Sequence, residues 1–144
     1  MKEVFAEVEA EVRRELDAMV EQPESGEDRL RAIIRFFFEI VGAHPLLRLL
    51  ADPIEGPQLW RTVPAEEMEE LLADDDRYFM DVADRLKETG ALDAGASSYL
   101  VAAVPRLALA ISQARDLIGD DRYAAVVDLV VEGLTTELHG RPTA

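Results

Sequence analysis

Apolar residues along this chain recur every three to four positions, and no run alternates with period two, so the elements they predict are helices throughout. Val4, Phe5, Val8, Val12, Leu16, Met19 and Val20 form one stripe on a first helix over about residues 2–21, which the segment Gln22-Pro23-Glu24-Ser25-Gly26 ends. A second helix, about 27–43, carries Leu30, Ile33, Ile34, Phe36, Phe37, Phe38, Ile40 and Val41. These cover an arc roughly 200° wide at ~100° per residue, so this helix must touch several neighbours.

His44-Pro45 interrupts the pattern, and a short proline-led helix follows over about 46–51. Residues 52–64 hold three prolines and Gly56, which predicts a loop with a single turn around Leu59-Trp60. Three further helices are expected at about 65–88, 98–118 and 121–139, with stops at Thr89-Gly90 and Gly119-Asp120 and a cap at Ser97 or Ser98. The expectation is an all-α antiparallel bundle: one domain over 1–144, with about five long helices and one or two short ones.

The span 98–118 is apolar almost all round: Leu100, Val104, Leu107 and Ile111 share one face, Val101 and Ala108 lie beside it, and Leu109 is nearly opposite. A helix without a wide polar face is either central or covered by another subunit. The final helix adds Tyr123, Val126, Val127, Val130, Val131, Leu134 and Leu138, with Gly133 where a second backbone could approach. The expected arrangement is a four-helix interface between two copies, carried by Leu107, Ile111, Val126, Val127, Val130 and Leu134. A monomer in which these faces are simply core is the alternative.

Asp75 falls in the middle of the inward stripe Met68, Leu71, Leu72, Tyr78, Phe79, Val82 and Leu86. Either it addresses a ligand from a pocket, or the helix breaks at Asp74-Asp75-Asp76 and one aspartate caps a restart; the second is favoured because aspartates often cap and seldom sit unpaired in cores. Tyr99, Arg106 and Gln113 recur every seventh residue beside Ala102, Ala103 and Ala110, which suits either a cavity wall with a few orienting polar groups or ordinary surface. Pro105 should kink this helix and free a carbonyl near Val101. Trp60, the only tryptophan, either lines a ligand site or plugs the end of the bundle. Phe36, Phe37 and Phe38 read as core, His44 as a helix cap, and Glu66, Glu67, Glu69 and Glu70 as a solvated face.

Composition narrows the chemistry. With 15 basic against 30 acidic residues the net charge is −15, and a surface of that sign repels a phosphate backbone. Zero cysteines and two histidines, His44 and His139, leave no thiolate or histidine metal cluster to expect, and no cofactor. No nucleophile–base pairing or phosphate-cradling glycine loop is present, so the chain is not read as an enzyme. The acidic, amphipathic start lacks the features of a signal peptide, and the least charged stretch, 94–105, is too short to span a bilayer. A cytoplasmic location away from membranes is the expectation.

Three segments, in order, carry a family resemblance: Lys2-Glu3-Val4-Phe5; Phe38-Glu39-Ile40-Val41-Gly42-Ala43-His44-Pro45-Leu46-Leu47-Arg48; and the helix end Asp81-Val82-Ala83-Asp84-Arg85-Leu86-Lys87-Glu88-Thr89-Gly90-Ala91-Leu92. Over nearly the whole chain, the plan resembles the C-terminal ligand-binding and dimerisation domain of TetR-family transcriptional regulators. The resemblance implies a homodimer and a small, largely apolar effector held in a cavity of the bundle. Wheel position nominates Trp60, Asp75, Tyr78, Phe79, Tyr99 and Arg106 to line that cavity. It further implies that effector binding shifts the first helix and resets a helix-turn-helix domain. That domain is not in this chain, so DNA binding is expected of a parent protein only. The competing expectation is a standalone acidic helical module that binds a protein partner.

Overall fold

The structure, a computed structural model, describes residues 2–22 and 25–140. Among them are nine helices and no strand: α1 Lys2–Val20, α2 Gly26–Ala43, α3 Pro45–Leu50, α4 Glu55–Arg61, α5 Ala65–Glu88, α6 Ser98–Val101, α7 Val104–Gln113, α8 Arg115–Ile118 and α9 Asp120–His139. Pro23 and Glu24, central to the expected stop after α1, lie outside the described residues. No helix among the described residues is long and apolar enough to cross a membrane.

Local chemistry sets the boundaries. The Ser25 hydroxyl accepts from the Asp28 amide at 3.2 Å and starts α2, with Glu27 and Asp28 in its first turn, where carboxylates complement the helix dipole. His44 serves two helices: its amide donates to the Ile40 carbonyl to close α2, and its Nδ1 accepts from the Leu46 amide at 3.2 Å to open α3. Pro45, in the first turn, gives up a donor that the helix does not need. Gly90, at φ +80°, turns the chain out of α5, a conformation that side chains with a Cβ resist. The Asp93 amide then donates to the Leu138 carbonyl at 2.8 Å, and His139 Nδ1 lies 2.8 Å from the Ala91 carbonyl, which ties this loop to the end of α9.

The broad apolar arc of α2 makes it the central helix, packed by α1, α3, α7 and α9. Its Leu30, Ile33, Ile34, Phe37 and Phe38 meet Leu16 and Val20 of α1, Val82 and Leu86 of α5, Val104 and Ala108 of α7, and Val127 and Val131 of α9 in one core. Phe5, Leu50 and Val63 build a separate, smaller cluster with Leu46, Leu47, Leu59, Trp60, Met68, Leu71 and Leu109 around α3 and α4.

Several expectations need correction. The single helix over 98–118 is three pieces: Pro105 has no amide to donate to the Val101 carbonyl, and the chain turns at Ala102-Ala103 instead of bending. A second break follows at Ala114. The predicted single turn at Leu59-Trp60 is the seven-residue α4. At Asp74-Asp75-Asp76 there is no break, because α5 runs through without interruption. Arginines reach all three carboxylates: Arg13 is shared between Asp74 and Asp75, and Arg106 pairs with Asp76.

Of the residues expected between two copies, Val127 is buried in the chain's own core at 8% exposure. Ile111, Val130 and Leu134 are half-buried at its edge, and Val126 is half-buried as well. Leu107 is exposed, as are Leu100, Leu117 and Leu129, the last at 74%. Each of α6, α7, α8 and α9 therefore carries a leucine that the chain itself leaves uncovered.

Candidate functional site

Between the two apolar clusters lies a cavity of about 650 Å³, within the range of sites that hold drug-sized molecules. Six elements and a turn wall it: Phe5, Val8 and Val12 from α1, Phe37 and Val41 from α2, Leu47 and Leu50 from α3, Pro57 and Trp60 from α4, Leu71, Leu72 and Phe79 from α5, and Ala102, Leu109 and Ala110 from the turn at 102–103 and α7. Two aromatic contacts shape it. Trp60 stacks on Phe5, with centroids 5.9 Å apart and planes 12° apart, and Phe79 meets Phe37 edge-on at 5.7 Å.

The charged groups gather where α1, α5 and α7 meet: Glu9, Arg13, Asp75, Asp76 and Arg106, while Gln113 lines the cavity beside the end of α3. Arg13 donates to Asp74 at 2.8 Å and lies 3.5 Å from Asp75 and 3.8 Å from Glu9. Its guanidinium also covers the Tyr78 ring, 4.5 Å from the centroid. Arg106 donates to Asp76 at 2.8 Å and to the Leu72 carbonyl at 3.3 Å. Gln113 donates to the Leu50 carbonyl at 2.8 Å, fastening α7 to the end of α3.

Glu9 is the exceptional titrating group. Partial burial, then the adjoining Asp75 carboxylate, push its pKa up to about 8, against the pull of Arg13. Carboxyl oxygens of Glu9, Asp74 and Asp75 all lie within 4.8 Å of one another. Such a group can exchange a proton with whatever enters the cavity. No Ser, Cys, His or Lys is among the described residues that line it, and its acidic groups are the carboxyls of Glu9, Asp75 and Asp76.

The nominated residues divide. Trp60, Asp75, Phe79 and Arg106 do line one cavity. Tyr78 stands behind its wall: its hydroxyl donates to Asp17 at 2.9 Å and lies 3.2 Å from the Arg13 carbonyl, and burial followed by the Asp17 hydrogen bond raises its pKa. Tyr99 does not belong to the cavity at all; it is 67% exposed on α6, because the break at Ala102-Ala103 takes it out of register with Arg106 and Gln113. Glu9 and Arg13 were not nominated, although the sequence carried a signal for Glu9. On the α1 wheel it falls between Leu16 and Val20, inside the apolar stripe.

A shallower groove along α1 and α2 is bordered by Glu11, Glu15, Glu39 and His44, with His44 Nε2 3.5 Å from Glu11. Comparison of the chain with protein-family models, curated proteins and solved structures returns no match.

Proposed function

We propose that this chain is the effector-binding and dimerisation domain of a TetR-like transcriptional regulator. The cavity carries the reading: a mainly apolar chamber of about 650 Å³ whose walls include α1, the helix that such a regulator uses to pass a signal to a DNA-reading domain. Charged groups clustered on one side suit a ligand that is apolar over most of its surface and oriented at one end. DNA binding would belong to a domain outside this chain, since a net charge of −15 opposes contact with phosphates. Effector binding couples to that domain only by favouring one position of α1 over another.

The uncovered apolar surface on α6 to α9 supports the homodimer. Leu107 and Leu129 are two of its exposed side chains, and Gly133 of α9 has open space where a Cβ would stand. Two copies related by a two-fold axis would bury this surface. Light scattering should give twice the 16.0 kDa chain mass; a 16 kDa species alone at about 100 μM, well above the usual range for stable dimers, overturns the dimer. A thermal-shift panel of small apolar molecules tests the cavity. At least one chemical class should raise the melting temperature, and a flat response across neutral, cationic and anionic members overturns the reading.

The competing reading is a protein-interaction module that docks a basic partner on the acidic outer side of α5, where Glu66, Glu69 and Glu70 are exposed. It predicts salt-sensitive capture of basic peptides and no effect of small molecules on stability.

A further inference from the structure

We propose that the preferred occupant of this cavity is an apolar molecule bearing one positive charge, seated with that charge between Glu9 and Asp75. The proposal rests on the effector-cavity reading above and adds the class of ligand.

The charges on the wall do not balance. Three carboxyl groups, Glu9, Asp75 and Asp76, face two guanidinium groups, Arg13 and Arg106. Both arginines are already engaged: Arg106 by Asp76 at 2.8 Å, and Arg13 by Asp74 at 2.8 Å, a carboxylate that does not itself line the cavity. Glu9 is left with Arg13 at 3.8 Å and with a hydrogen bond to Asp75 that its own proton makes. Charged groups facing Glu9 come from α1 (Arg13) and α5 (Asp74 and Asp75), with Asp76 of α5 and Arg106 of α7 on the same wall; α2, α3 and α4 present only Phe, Ile, Val, Leu, Pro and Trp to the cavity.

Three kinds of ligand then fare differently. An anion must pull an arginine away from its carboxylate, which strands a charge in a partly dry site. A neutral molecule leaves the wall as it is, with the Glu9 proton serving as the missing positive charge. A cation takes that proton's place, and the proton leaves to solvent. Phe79 and Trp60 line the same cavity, and an aromatic face within about 6 Å of a cation adds to its attraction. Since Glu9 holds its proton up to about 8, cation affinity must rise with pH toward that value and then level off, as one proton is released per cation bound.

Calorimetry on the full chain with three eight-carbon probes tests this: octyltrimethylammonium, whose charge does not titrate, octan-1-ol and octanoate. At about pH 8.5 the ammonium should bind at least about tenfold more tightly than octanoate. Its affinity should fall by up to about tenfold per pH unit below 8, while that of octanol stays level. Glu9→Gln should abolish the pH slope and weaken the ammonium while sparing octanol; Asp75→Asn, a second route to the same loss, covers the case in which Glu9→Gln perturbs folding. Octanoate binding as tightly as the ammonium, or a pH slope that survives in Glu9→Gln, overturns the charge assignment and leaves the cavity intact. Failure of all three probes to bind overturns the cavity reading and this inference together.

Discussion

Glu9 and Asp17 lie two turns apart on α1, and α5 treats them in opposite ways. Glu9 keeps its proton to about 8, whereas the unfolded chain gives it up near an ordinary carboxyl value, so Glu9 lowers stability as pH rises through that window. Glu9→Gln should therefore melt higher than the native chain at about pH 9 and alongside it at about pH 4, where both carry a neutral side chain; equal melting at both pH values would show that the proton is not held. At Asp17, burial opposes ionisation, but the hydrogen bonds from Arg85, at 2.7 Å, and Tyr78 prevail and hold its pKa down. Its contribution is present above the unfolded carboxyl value and disappears as pH falls through the lowered one. With 45% of the side chain exposed, Asp17→Asn should cost under about 1 kcal/mol by chemical denaturation, and less still in high salt. Leu16, between these two and 0% exposed, should cost about 2–5 kcal/mol when cut to Ala. The placement of Leu16 follows from apolar spacing alone. The pairing of Asp75 does not, because Arg13 lies 62 residues away and no local pattern joins them.

The four helices α1, α2, α5 and α9 are each 18 residues or longer, and they were legible because a stripe of that length outweighs any single residue. The short pieces were harder to read. Whether Pro105 would bend one helix or divide it depended on the burial of Ala102 and Val104, and that is tertiary information. The loop expected at 52–64 hid α4, whose start is set by the Asp52 carboxylate accepting from the amides of Ile54 and Glu55 at 2.9 and 2.8 Å. Within α4, Gly56 approaches the end of α3 so closely that a Cβ would collide with the Leu50 carbonyl. Gly56→Ala should push α4 outward, costing about 1–3 kcal/mol. Because Trp60 is the only tryptophan and sits on the same helix, its emission should move to longer wavelength as it loses its stack on Phe5; unchanged emission together with unchanged stability would mean that α4 tolerates the extra methyl.

For the molecule as a whole, a net charge of −15 acts on any association between copies. Like charges repel over about 10 Å at 0.1 M salt and over shorter distances as salt rises, so the proposed dimer should tighten with ionic strength. Sedimentation between about 0.02 and 0.5 M salt checks this, the expected Debye length falling severalfold across that range. Leu129→Glu, at a position 74% exposed, should give a folded monomer. A dimer that persists in this variant would place the contact elsewhere.

Phe5, Leu50 and Val63 are the buried members of the smaller cluster, and a platform of that size holds its end of the bundle far less firmly than the α2-centred core holds the other. Deuterium uptake should accordingly be fastest across 45–63 and slowest in α2 and α9. Guests would reach the chamber by local fraying of this end while the rest stays intact, and a lodged guest, by bridging the firm half and the loose one, would slow the fraying that admitted it.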